Sequence, residues 1–254
     1  MEKSFSISPH DVIDYIKISC QLPSAIEAIA SEKIIAETAK KLGIKLEEAE
    51  IQEEGDRFRV AKKLVKAKET LAWLQQHHLS VDDFEKLIGK KILSQKLANH
   101  LFGKNVESFF FQHQLDYLAA VTYEIILDDK DLALEIFYAL QEGETAFQDI
   151  AREYISNPDI RRTGGYQGVR RRTDFRPEIA SAVFAANPPQ PLKPIATAKG
   201  IYLIWVEEII QPELDEQLRQ QIITELFNNW LIQQIAEIQI TTRFDSVLSS
   251  QKSA

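Results

Sequence analysis

No intrachain disulfide is possible in this sequence, because Cys20 is its only cysteine. That thiol lies in an apolar helical stretch and reads as a buried structural group rather than a reactive one. Long hydrophobic runs are missing too. No stretch reaches the roughly 18 consecutive apolar residues of a membrane-spanning helix, so membrane insertion is not expected. The opening Met1-Glu2-Lys3-Ser4-Phe5-Ser6 has no apolar core of the kind that makes a signal peptide, and a cytoplasmic location is expected. Positive charge is in deficit: 30 Lys and Arg against 38 Asp and Glu leave a net charge of −8. That sign is wrong for a general nucleic-acid partner.

Site signatures are sparse as well. His77 and His78 are adjacent and point to different sides of a helix, while His100 and His113 have no spaced partners, so no metal site is expected. Gly164-Gly165 is not followed by the Lys-Ser/Thr of a phosphate loop. No serine nucleophile elbow occurs, and no internal repeat or low-complexity tract. No cofactor is expected.

What is present is an ordinary globular composition, 44% hydrophobic and 27% charged, in a length that suits one large or two modest domains. The first 117 residues read as helical. Ser8-Pro9 supplies a cap residue and a proline at the first helical position, with Val12, Ile13, Ile16 and Cys20 at helical spacing behind it. A second pattern runs from Ser24 to Leu42, closed by Lys40-Lys41 and Gly43. Helical period continues from Leu46 to about Gln76, with Gly55 as a soft point. Ser80-Val81-Asp82-Asp83 then opens another helix with Phe84, Leu87, Ile88, Ile92 and Leu97 on one face. The chain turns helical again after Pro212, through Leu214, Leu218, Ile222, Leu226, Trp230 and Ile235. A helix so apolar on one side must pack against something, and the N-terminal helices are the obvious partner. Ser249 to Ala254 is expected to fray.

Between these helical parts the pattern changes. Val121-Thr122-Tyr123-Glu124-Ile125-Ile126-Leu127 is β-branched and aromatic, a first strand. Asp131 to Gln141 and Thr145 to Tyr154 read as helices. Thr163-Gly164-Gly165-Tyr166-Gln167-Gly168-Val169 puts three glycines into five residues of a chain that has nine, marking a sharp turn or a close approach. A short amphipathic helix follows over Phe175–Ala185, then Pro188, Pro189, Pro191 and Pro194. Lys199-Gly200 finally turns into the β-rich run Ile201 to Ile209.

This order resembles the second half of a parvulin-type peptidyl-prolyl isomerase domain. In that family a GGdlG loop precedes a proline-led helix ending in A-x-F, a proline-rich turn, and a last strand of the form G-[YI]-H-[IL]-I-x-V-x-E. Phe147 to Ser156 is similar to the family's second helix, F-x-x-[LI]-A-x-x-[YF]-S. The resemblance covers residues 118–210. A helical module built from both chain ends, with such a domain inserted, resembles the SurA- and PrsA-type foldases and chaperones. It implies an α+β protein: a helical module over residues 1–117, a small antiparallel sheet surrounded by helices over 118–210, and a C-terminal helix over 211–254 that packs on the first module.

The resemblance also implies where chemistry would sit. The family's first-strand histidine falls on Glu124, its last-strand histidine on Tyr202, and its Cys/Asp position on Asn157, with Asp159 close by. Thr197 keeps the family's threonine. These four would form a substitute hydrogen-bond network. Phe175, Ile179 and Phe184 fall on the proline-pocket positions, and Gln167 would make one wall of that pocket polar. Core packing is the competing reading for all three apolar residues.

Arg161, Arg162, Arg170, Arg171, Arg172 and Arg176 make a local field reversal around the glycine loop. It reads either as a solvated loop or as a site for acidic stretches of a client, because arginine forks pair carboxylates in bidentate fashion. Three functions stay open. One is a foldase acting on proline-containing or unfolded polypeptides with weak isomerase activity; another is a non-catalytic peptide-binding chaperone or maturation partner; the third is a pure scaffold.

Overall fold

A computed structural model describes residues 5–242, and the tail expected to fray at Ser249–Ala254 lies outside the described residues. The chain splits into two compact units, Met1–Val106 with Arg219–Ala254, and Glu107–Leu218.

In the first unit α1 (Pro9–Ile18) starts at Ser8. The Asp11 N–H donates to the Ser8 hydroxyl at 3.2 Å, and the Ser8 N–H donates to the Asp11 carboxylate at 2.8 Å. This reciprocal cap satisfies donors that a helix start otherwise leaves free. Cys20 then adopts φ +58, and the Gln21 N–H returns to the Ile16 carbonyl at 3.0 Å. The expectation of a buried thiol is corrected here. Cys20 is exposed, because the helix ends before it in a left-handed turn.

Next come α2 (Leu22–Lys41), α3 (Glu48–Ala61), α4 (Ala67–Gln76) and α5 (Val81–Phe102). The helical pattern from Leu46 to Gln76 is thus cut in two. Lys63 takes φ +59 and the Leu64 N–H closes onto the Arg59 carbonyl at 2.7 Å. Leu64 is buried all the same, so the apolar periodicity does not register the break. Gly55 is no soft point: it sits buried within α3. Ser80 and Asp83 cap α5 reciprocally, and Ile88, Ile92 and Leu97 are buried along it, whereas Leu87 is exposed. α5 packs on α2 and α3. Glu54 of α3, only 8% exposed, is matched by the Lys91 ammonium of α5 at 2.6 Å; a carboxylate at that depth needs such a partner.

The second unit opens with α6 (Val106–Gln112) and a short 3₁₀ turn at Gln114–Tyr117. Then follow β1 (Ala119–Leu127), α7 (Lys130–Glu142), α8 (Phe147–Tyr154), α9 (Pro158–Arg162), β2 (Tyr166–Arg171), α10 (Pro177–Val183), β3 (Gln190–Pro191), β4 (Ile195–Thr197) and β5 (Gly200–Ile210). All strand pairs are antiparallel, in the order β2-β1-β5-β3, with β4 also on β5. Side chains alternate across the sheet. Ile125, Leu127 and Leu203 face α7 and α8, which contribute Ile136, Phe137 and Ile150. Ala120, Ile204 and Val206 face the other way, onto Phe175 and onto Ile179 and Val183 of α10. Each fully buried Leu, Ile or Val contributes about 1.5–3 kcal/mol. Both faces are therefore covered, which is why β1 and β5 read as nearly continuous apolar runs.

The last helix, α11 (Glu216–Glu237), buries Ile222, Ile223 and Phe227. The expected α+β class is observed: one unit is a small antiparallel sheet with helices on both faces, and the other is helical among its described residues. Among the described residues no helix is long and apolar enough to cross a membrane.

Candidate functional site

The glycine-rich stretch forms a turn that holds β1 from one side. Gly164 and Gly165 adopt φ +70 and +87. The Gly165 carbonyl accepts from the Glu124 N–H at 2.9 Å and from Gln167 Nε2 at 3.0 Å. A Cβ at Gly165 would lie 2.9 Å from the Glu124 carbonyl oxygen, and only glycine combines that approach with that backbone angle. Gly168, at φ +76, lets β2 slip register opposite Thr122: Val121 pairs with Val169, but Tyr123 pairs with Tyr166. Out of this bulge β2 runs on to place Arg170 beside β1.

The consequence is an ion pair. Arg170 Nη1 donates to Glu124 Oε1 at 2.7 Å, with the two side chains 28% and 10% exposed. Arg170 Nη2 donates to the Asp174 carbonyl at 3.0 Å, and the guanidinium carbon lies 4.1 Å from the centre of the Phe175 ring. Burial raises the Glu124 pKa above the ordinary carboxylate value, and the guanidinium draws it partly back. The arrangement puts a charge-assisted hydrogen bond and a cation–π contact at the edge of an apolar cluster.

Tyr202 joins the same sheet face. Register sets Glu124 opposite Ile204 and Ile126 opposite Tyr202, so the carboxylate and the phenol are diagonal cross-strand neighbours. Tyr202 is buried with Phe175 and Ile179. Phe184 meets Phe175 edge to face at 5.8 Å. Phe175 and Ile179 are 7% and 4% exposed, so both serve as core of this face, and the Arg170 guanidinium lies over the Phe175 ring. Gln167 is half-buried and turned onto its own loop through the Gly165 carbonyl.

Thr197 and Asn157 make local hydrogen bonds. Thr197 Oγ1 donates to the Gly200 carbonyl and accepts from the Lys199 N–H, both at 3.1 Å, closing the turn between β4 and β5. Asn157 is exposed, and its Oδ1 accepts from the Asp159 and Ile160 N–H groups at 2.9 and 3.4 Å as the N-cap of α9. Asn-Pro-Asp is itself a helix-start signal that the sequence carried. Of the arginines, Arg170 is engaged within the domain, while Arg171 stacks over Tyr117 at 5.7 Å and Arg172 over Phe184 at 5.5 Å. Thr122 was not anticipated. It is fully buried, and its hydroxyl has no hydrogen-bond partner among the described residues. The period of two along β1 would have placed it on the Glu124 face.

With this geometry in place, comparison with known proteins becomes informative. Residues 104–218 match the PPIC-type PPIASE domain. Two curated relatives match over part of their length. A foldase protein PrsA of Caldanaerobacter subterraneus is 22% identical over 80% of this chain and 61% of its own length. A chaperone SurA of a Shewanella species is 27% identical over 46% of this chain and 29% of its own. The chain thus spans less than two thirds of the first relative and under a third of the second. A solved structure of a peptidylprolyl isomerase (PrsA) from Bacillus anthracis aligns at 18% identity and a TM-score of 0.49, covering 86% of this chain and 100% of that one. The region that matches this family model holds Glu124, Arg170, Phe175, Ile179 and Tyr202 on one face of its sheet.

Proposed function

We propose that the protein is a foldase for proline-containing or unfolded polypeptides, with weak peptidyl-prolyl cis–trans isomerase activity. The observation that carries this reading is the Glu124–Arg170 pair seated beside Tyr202 at the edge of the Phe175 and Ile179 cluster. Rotation about an X–Pro bond meets a barrier of about 18–20 kcal/mol from amide resonance, and no bond is broken. The catalyst needs an apolar seat for the prolyl ring and fixed dipoles that favour the twisted amide. Phe184, half-buried against Phe175, offers the seat once the Arg170 guanidinium shifts from the Phe175 ring. Arg170 offers donors for the carbonyl oxygen, and Glu124 holds the guanidinium in place while its own charge is largely shielded.

A specific observation favours the alternative of a peptide-binding chaperone without turnover. The Arg170 guanidinium already lies over the Phe175 ring, so a prolyl ring must displace it. Exchange NMR on X–Pro peptides separates the two. Accelerated exchange supports the isomerase; no acceleration together with retained suppression of client aggregation selects the chaperone. The double substitution Glu124→His with Tyr202→His raises turnover if those side chains alone limit the rate.

A further inference from the structure

On the sheet face opposite Glu124, a cavity of about 410 Å³ is lined by Tyr123, Phe147, Trp205 and Glu207. Register pairs Tyr123 with Trp205 across β1 and β5, so these two aromatic side chains are neighbours. The Phe147 ring, at the start of α8, meets Tyr123 edge to face at 6.3 Å. A bulge supplies the fourth wall. Val121 pairs with Glu208 and Thr122 with Val206, which leaves Glu207 as the extra residue of β5. Bulges re-aim side chains, and this one brings the Glu207 carboxylate to the Tyr123 phenol, whose pKa the resulting hydrogen bond raises. Gly143, with φ +75 and open space where a Cβ would stand, leaves the rim clear.

The chemistry of the lining selects a charge. Aromatic faces carry negative potential and attract cations, and the carboxylate adds a full negative charge on the same wall. An anion is repelled there. A purely apolar ligand gains nothing from the carboxylate. A flexible side chain with a methylene stem and a cationic head fits both parts: the stem lies along the rings and the head reaches Glu207.

We propose that this cavity binds a basic side chain, a lysine ammonium or an arginine guanidinium, of an extended polypeptide client. The client class is taken from the reading above, but the binding site is separate from the Glu124 face and can be tested without proline.

The test uses the full chain and two blocked amino acids, N-acetyl-lysine methylamide and its uncharged counterpart N-acetyl-norleucine methylamide. Binding is followed by amide shifts at Gly143 and Phe147 and by the Trp205 indole. The lysine probe is expected to bind roughly five- to tenfold more tightly than the norleucine probe. Glu207→Gln cuts that preference to what the rings alone supply, and Trp205→Leu weakens lysine binding with Glu207 still present. Unchanged amide shifts at Ile125 and Leu203 establish that the Glu207→Gln chain is folded. N-acetyl-arginine methylamide distinguishes guanidinium from ammonium, and preferential binding of either supports the proposal. Equal binding of all three probes, or a lysine preference undiminished by Glu207→Gln, overturns it. Failure of X–Pro exchange with the lysine preference intact removes the isomerase reading and leaves this site standing.

Discussion

Replacing Arg170 by methionine isolates the ion pair on β1 and β2. Methionine keeps an apolar stem against Phe175 but removes every donor. Breaking a fully buried pair costs about 3–5 kcal/mol. Here Glu124 is 10% and Arg170 28% exposed, which brings the pair contribution down to about 2 kcal/mol. Loss of the hydrogen bond to the Asp174 carbonyl adds about 1 kcal/mol, so Arg170→Met is expected to destabilise the sheet by about 3 kcal/mol near neutral pH. Adding Glu124→Leu removes the stranded carboxylate, and the double variant should lose only about 1 kcal/mol. The pH dependence has a definite sign. Burial raises the Glu124 pKa and Arg170 opposes that rise; without Arg170 the folded-state pKa climbs further. A raised carboxyl pKa contributes stability that is fully present below the ordinary carboxylate value and lost as pH rises through the folded value. The Arg170→Met deficit is therefore small in acid and grows toward neutrality, and it stays flat in the double variant. Amide hydrogen exchange across β1 and β5, corrected for intrinsic rates, measures this within the domain. Equal losses in the single and double variants at every pH would refute the coupling.

Other substitutions probe the surrounding frame. Gly165→Ala forces a Cβ to within 2.9 Å of the Glu124 carbonyl at φ +87, so a loss of about 2 kcal/mol or more is expected in thermal unfolding of the domain. Thr197→Val removes both hydroxyl bonds of the β4–β5 turn and should cost about 1 kcal/mol, with X–Pro exchange rates per folded molecule unchanged. If Arg171 and Arg172 recruit acidic client segments, raising ionic strength weakens glutamate-rich peptide binding steeply; salt-insensitive affinity removes that role.

Much of the architecture was legible because its causes are local. β1 and β5 show as β-branched, aromatic runs since both their faces are covered, and Ser80 with Asp83 announces α5 through its cap. The break at Lys63 did not show, and the one before α2 showed only as a change of pattern between Cys20 and Ser24. Each depends on a non-glycine residue taking a left-handed backbone, which neither composition nor period encodes. The site divides along the same line. Glu124 and Tyr202 share a face by strand alternation and register, but the partner of Glu124 stands 46 residues away, and no spacing rule links them. Thr197 and Asn157 fall on family positions, and their oxygens also close a turn and cap a helix. Those engagements become visible only once the local loops have folded.

Residues 107–218 interrupt a unit that resumes at Arg219 and takes most of α11 from there. On the ribosome the sheet domain has its whole complement of residues once Leu218 emerges, whereas the helical unit still lacks its last member. Synthesis thus yields a finished insert on an unfinished base. Truncating the chain after Leu218 should trap that intermediate: an intact sheet joined to helices that still wait for Ile222, Ile223 and Phe227.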